Sequence, residues 1–87
     1  MEKIKILIIE DSTLFRALYD EILYDDVFEK KFAENGEDGL ILYQEWKPDI
    51  ILLDMVLPIM SGYSVLKEIR TKLKDISTTI IVQTTVP

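Results

Sequence analysis

Residues 50–54 read Ile-Ile-Leu-Leu-Asp: four consecutive apolar residues closed by an acid. The run is too short for a helix and lacks the alternation of a half-exposed strand. It therefore predicts a parallel strand covered on both faces. Two further runs have the same character, Ile6-Leu7-Ile8-Ile9 and Ile80-Ile81-Val82. A weaker strand is expected over Val27 to Ala33, where Phe28 and Phe32 share one face and Glu29 and Lys31 the other. Its charges suit a sheet edge.

Helical patterns fill the intervals. Ser12 is placed to cap a helix running to about Tyr24, with Leu14, Leu18 and Ile22 forming a stripe at four-residue spacing. Asn35-Gly36 signals a turn, and Glu37 to about Trp46 predicts a second helix with Leu40 and Tyr43 inward. Lys47-Pro48-Asp49 ends it, because the residue before a proline resists the α region. Leu57 to Gly62 is a loop, and Tyr63 to about Leu73 a third helix with Val65, Leu66 and Ile69 apolar. Strand and helix alternate four strands to three helices, with connections short enough for right-handed crossovers. The expectation is an α/β protein: a doubly wound parallel sheet in one domain over residues 1–87.

Composition narrows the chemistry. The 87 residues are 48% hydrophobic and 30% charged, which fits a globular domain with a small core. A net charge of −6 argues against binding nucleic acid or an anionic membrane, both of which need basic patches. With no Cys and no His, disulfides, thiol nucleophiles, the usual zinc sites and histidine bases all drop out. Only four apolar residues, Ile6 to Ile9, precede Glu10 and Asp11, too few for a signal peptide or a membrane span. A cytoplasmic location is expected.

Ligands of open α/β sheets bind outside the carboxyl ends of the strands. Those ends carry Glu10-Asp11, Asp54 and Thr84-Thr85. If the first and third strands are neighbours, about 4.8 Å apart, Asp11 and Asp54 enter one crevice. Crowded carboxylates either share protons or hold a cation, and an all-oxygen donor set suits Mg²⁺. Singly, each residue has a plain structural role: Glu10 and Asp11 can favour the positive end of the first helix, and Thr84 can be an ordinary β-branched strand residue. Asp54, set between Leu53 and Met55-Val56-Leu57, is expected to be half-buried. Together on one rim, the set is hard to explain as caps.

The sequence resembles the receiver domain of two-component response regulators. The resemblance rests on Glu10-Asp11-Ser12, Arg16, Glu34-Asn35-Gly36-Glu37, Lys47-Pro48-Asp49, Ile50 to Met55, Pro58, Met60-Ser61-Gly62 and Thr84, in this order. It implies the flavodoxin-like receiver fold, with Asp54 as phosphoacceptor for a phosphoryl group from a sensor histidine kinase or phosphotransfer protein. It further implies Glu10 and Asp11 as the acidic pair positioning Mg²⁺, the Met55 carbonyl on the same ion, and Thr84 as the switch hydroxyl. The elementary chemistry agrees. Phosphoryl transfer needs positioning and charge neutralisation, and a carboxylate nucleophile needs no base when an unperturbed aspartate has a pKa of about 3.9.

Three departures stand out. Thr85 occupies a position where the family usually has a small residue, so access to the site is expected to be narrower. Gln83 is an amide in an otherwise apolar strand, expected to face solvent or a partner. After Val86-Pro87 nothing corresponds to the family's fourth helix, fifth strand and fifth helix, or to the lysine and aromatic they carry. A receiver truncated after its fourth strand is expected to self-associate through that strand, the first helix, or both.

Competing classes are weaker or differ in kind. A haloacid-dehalogenase-type hydrolase wants a second aspartate two residues after the first, and that position is Val56. A P-loop hydrolase needs Gly-x-x-x-x-Gly-Lys-Ser/Thr, which is absent. The alternative of another class is a non-phosphorylated interaction or dimerisation module with the receiver shape. In neither reading is the chain a turnover enzyme.

Overall fold

Residues 2–84 are described by the computed structural model. The strands β1 (Ile4–Ile9), β2 (Phe28–Ala33), β3 (Ile50–Asp54) and β4 (Thr79–Gln83) form a parallel sheet in the order β2-β1-β3-β4. Between them run α1 (Thr13–Ile22), α2 (Gly36–Trp46) and α3 (Gly62–Lys67). The chain moves outward from β1 to β2, then returns across β1 to β3 and β4. β1 and β3, on either side of the reversal, are the central pair, which creates the switch point where a ligand would sit.

Each helix starts at the carboxyl rim on a side-chain cap that satisfies an otherwise unpaired N–H group. Ser12 Oγ accepts from Phe15 N–H at 3.2 Å, Asn35 Oδ1 from Asp38 N–H at 2.8 Å, and Ser61 Oγ from Ser64 N–H at 3.2 Å. α2 does stop at Lys47, but by entering the left-handed region (φ 53°) rather than an extended one. Its N–H still closes on the Tyr43 carbonyl at 2.9 Å. The predicted third helix is α-helical only to Lys67; over Glu68–Lys72 it widens, with Leu73 N–H bonding the Glu68 carbonyl five residues back at 3.0 Å. There the Thr71 hydroxyl competes for backbone, donating to the Lys67 carbonyl at 2.6 Å.

The core lies on one face of the sheet. Leu7, Ile9, Ile51 and Leu53 point there and pack with Tyr43 of α2, Val65 of α3 and Ile69, as the apolar runs require. The alternate residues Ile6 and Ile8 are buried on the opposite face, the side on which Tyr19 of α1 reaches Gln83 of β4. At the β2 edge, Lys30 lies between Phe28 and Phe32 and closes the end of α1, donating to the Asp20 and Leu23 carbonyls at 2.7 Å each.

The stripe Leu14, Leu18, Ile22 of α1 does not face the sheet: these residues are 65%, 43% and 61% exposed, and no residue of α1 is fully buried. The inward row is instead Phe15, Tyr19 and Leu23, again four residues apart. Nor is β4 covered on both faces. Only β3 pairs with it among the described residues, and Ile81 and Val82 are exposed. A continuous apolar run matches burial for β1 and β3, but an edge position overrides it for β4.

Candidate functional site

Strand register decides which acids meet. Ile8 pairs with Leu52 and Ile9 with Leu53, so Glu10 and Asp54 take the next step on adjacent strands. By the period of two, both share the face of Ile8 and Leu52, toward α1. One carboxyl oxygen each from Glu10, Asp11 and Asp54 lies within 4.8 Å of the others. Glu10 is 2% and Asp54 4% exposed, so Asp54 is more deeply buried than expected, while Asp11 is open to solvent.

Backbone donors hold the two buried acids. Ser12 N–H donates to Glu10 Oε2 at 3.2 Å, and Val56 N–H to Asp54 Oδ1 at 3.0 Å. Arg16 braces the rim: its Nη1 donates to the Glu10 carbonyl at 2.9 Å, and its Nη2 pairs with Glu34 Oε1 at 3.0 Å just past β2. Burial first, then the hydrogen bond to Asp54 and the charges of Asp54 and Asp11, push the Glu10 carboxyl up to about 7 against the pull of the Ser12 N–H.

The loop after β3 closes over this rim because Gly62 has no side chain. A Cβ there would lie 2.0 Å from the Asp54 carbonyl oxygen and 2.7 Å from Met55 Cα. Gly62 N–H donates to the Met55 carbonyl at 3.2 Å, which leaves that oxygen a second lone pair for a cation. Met55 N–H donates to the Gln83 carbonyl at 2.9 Å, extending the β3–β4 ladder past the Asp54–Gln83 pair. Thr84 is the next residue, exposed at the same rim; Thr85 lies outside the described residues.

The donor set fits a hard dication. Three carboxylates converge, all oxygen donors, with burial holding the Glu10 proton more tightly than in an ordinary carboxylate. Mg²⁺ takes few protein carboxylates and keeps water or phosphate oxygens, which matches a site with one open acid.

Gln83 is half-buried and turned toward α1. It shares the Asp54 face, and its Oε1 accepts a hydrogen bond from the Tyr19 hydroxyl of α1. Burial raises the Tyr19 pKa, with the Glu10 and Asp54 charges adding to it. Sequence reasoning by motif does not single out Tyr19. The signal available was its place four residues after Phe15, combined with the single amide in an apolar strand.

A separate cavity of about 370 Å³ at the opposite edge is lined by Tyr43, Gln44, Lys47, Leu73, Asp75 and Thr78. Asp75 accepts from the Thr78 and Tyr43 hydroxyls at 2.5 Å each, bonds that hold its carboxyl well below the usual range. Burial, then Asp75, pushes the Tyr43 hydroxyl up to about 12. This cluster ties α2 to the approach of β4. No helix among the described residues is long and apolar enough to cross a membrane.

Comparison with known proteins agrees with this geometry. The family model described as response regulator receiver domain matches residues 6–86. The chain is 39% identical over 87 residues to the sensory transduction protein LytT of Oceanobacillus iheyensis, covering 94% of the chain and 34% of LytT. It is 38% identical over 78 residues to a protein-glutamate methylesterase/protein-glutamine glutaminase of Clostridium acetobutylicum, covering 87% of the chain and 23% of that protein. With the chemotaxis protein CheY of Halobacterium salinarum, identity is 35% over 66 residues, 76% of the chain and 55% of CheY. The chain thus spans less than two thirds of each of these relatives. Among solved structures, Vibrio cholerae CheY4 superposes with a TM-score of 0.86 at 28% identity, over 99% of this chain and 72% of that one. The N-terminal domain of a response regulator receiver protein from Methanoculleus marisnigri gives 0.80 at 27%, over 95% and 68%. In sheet order, register and the acids at its rim, the chain belongs to the response regulator receiver domain family.

Proposed function

We propose that the chain is a phosphoacceptor module of a two-component system, with Asp54 receiving a phosphoryl group from the phosphohistidine of a sensor kinase or phosphotransfer protein. The observation that carries this is the meeting of Glu10, Asp11 and Asp54 within 4.8 Å at the switch point of the sheet. Val56 N–H occupies Asp54 Oδ1, which leaves Oδ2 to attack phosphorus as the phosphorus–nitrogen bond of the donor breaks. Glu10, Asp11 and the Met55 carbonyl would hold Mg²⁺, whose charge, once bound, offsets the negative charge gathered between carboxylates and phosphoryl oxygens. Thr84 supplies a hydroxyl to the phosphoryl group after transfer. Residues 1–87 act as one domain, in the cytoplasm, without nucleic-acid or membrane contacts. The module takes part in its own phosphotransfer and does not turn over.

The test is incubation with Mg²⁺ and acetyl phosphate, followed by intact mass. The wild type gains one phosphoryl group, Asp54→Asn gains none, and chelation of Mg²⁺ abolishes the gain. A gain that survives Asp54→Asn overturns the assignment.

A second reading is favoured by one observation, the exposure of apolar side chains on both α1 (Leu14, Leu18, Ile22) and the β4 edge (Ile81, Val82). It is a non-phosphorylated module that pairs with a second copy through α1, β4 or both. Light scattering at micromolar concentration separates the two. A monomer that takes up phosphoryl supports the first, and a dimer that takes up none supports the second.

A further inference from the structure

We infer that Tyr19 is a positioning residue for the phosphoacceptor site, acting through Gln83 to fix the end of β4 and with it the Thr84 hydroxyl. The inference rests on the phosphoacceptor reading.

β4 ends as an edge, with β3 as its one strand neighbour among the described residues. Its last residue, Gln83, pairs with Asp54, and the Gln83 carbonyl accepts from Met55 N–H at 2.9 Å. Among the described residues the ladder stops beyond that bond, and Thr84 follows outside the strand. An unsupported strand end frays, because few contacts resist local opening. The contact that resists it comes from α1. The Tyr19 hydroxyl donates to Gln83 Oε1, the one side-chain hydrogen bond made by β4 among the described residues. Gln83 is therefore gripped twice, by backbone from β3 and by side chain from α1, directly before the residue whose hydroxyl the reaction needs.

α1 itself starts at the site. Ser12 caps it while its own N–H holds Glu10, and Arg16, one turn on, donates to the Glu10 carbonyl. Tyr19 thus hangs from an element registered on the acidic cluster and reaches across the α1 face of the sheet to β4. Removing its hydroxyl leaves Glu10, Asp11 and Asp54 in place and frees the side chain that anchors the Thr84 end. Hydroxyl loss should therefore spare cation binding and slow phosphoryl uptake.

The experiment compares wild type, Tyr19→Phe, Gln83→Leu and the double variant. Acetyl phosphate labelling is followed by intact mass, Mg²⁺ affinity by calorimetry, and Met55 amide exchange by NMR. Tyr19→Phe should label about three- to ten-fold more slowly, the range one net hydrogen bond allows. Its Mg²⁺ affinity should match the wild type, and its Met55 amide should exchange faster. The double variant should be no slower than the slower single variant, since both remove the same bond. Wild-type labelling with an unchanged rate in Tyr19→Phe overturns the inference and leaves the phosphoacceptor reading standing. Equal loss of Mg²⁺ affinity and labelling rate also overturns it, by showing general disruption. A wild type that takes up no phosphoryl group overturns the reading and the inference together.

Discussion

Glu10 and Asp54 stand one step beyond the Ile9–Leu53 pair on adjacent parallel strands, both buried, with carboxyl oxygens within 4.8 Å of each other. Burial, then the hydrogen bond and charge of Asp54, push the Glu10 carboxyl up to about 7. A cation entering the site competes with the proton that Glu10 keeps.

Mg²⁺ binding should therefore be linked to pH. As pH falls through about 7, protonation of Glu10 opposes the ion, so affinity weakens, and binding near neutral pH releases a proton. Calorimetry in two buffers of different ionisation enthalpy measures the release. Glu10→Gln should remove the pH dependence between 6 and 8 while lowering affinity.

Stability of the metal-free protein should fall as pH rises from about 4.5 to about 7. In that window the unfolded chain has lost the Glu10 proton and the folded chain has kept it, so rising pH favours unfolding. Thermal melts should show Glu10→Gln more stable than wild type at pH 8 and no different at pH 4. Asp75 has the opposite sign. Held low by Thr78 and Tyr43, it contributes stability above its ordinary value of 3.8 that is lost as pH drops below it.

Truncations on the two sides of the sheet should differ sharply. Ile69 is fully buried against α2 and the strands, so Ile69→Ala should cost about 2–5 kcal/mol. Ile22, at 61% exposed on α1, should change stability by no more than about 0.5 kcal/mol on Ile22→Ala. Urea denaturation midpoints at constant m-value measure both. A large loss at Ile22 would mean that its stripe is covered in solution.

Gly62→Ala should be costly without touching an acid. The added methyl meets the Asp54 carbonyl oxygen and Met55 backbone, neither of which can move without disturbing β3. The expected loss is about 1–3 kcal/mol, with slower labelling by acetyl phosphate.

The acids, the Ser12 cap and the alternation of strands and helices were legible in the residues because each depends on local chemistry. Ile6 to Ile9 and Ile50 to Leu53 read as buried parallel strands, Ser12 sits where a helix needs an acceptor, and an acid at a strand end has one rim to occupy. The same local logic misled at Ile81 and Val82, where an apolar run ended on an edge. Periodicity reports which residues share a face and cannot report whether anything packs against it.

From the sequence alone followed the alternation of strands and helices, the absence of any histidine or thiol chemistry, and the three carboxylates that a cation could bridge. Tertiary structure alone decided that burial would raise Glu10, that Gly62 would press against the Asp54 carbonyl, and that Tyr19 would reach Gln83, sixty-four positions away. Burial, close approach and side-chain hydrogen bonding between distant segments exist only once strands are in register, since none of them is a property of neighbours along the chain.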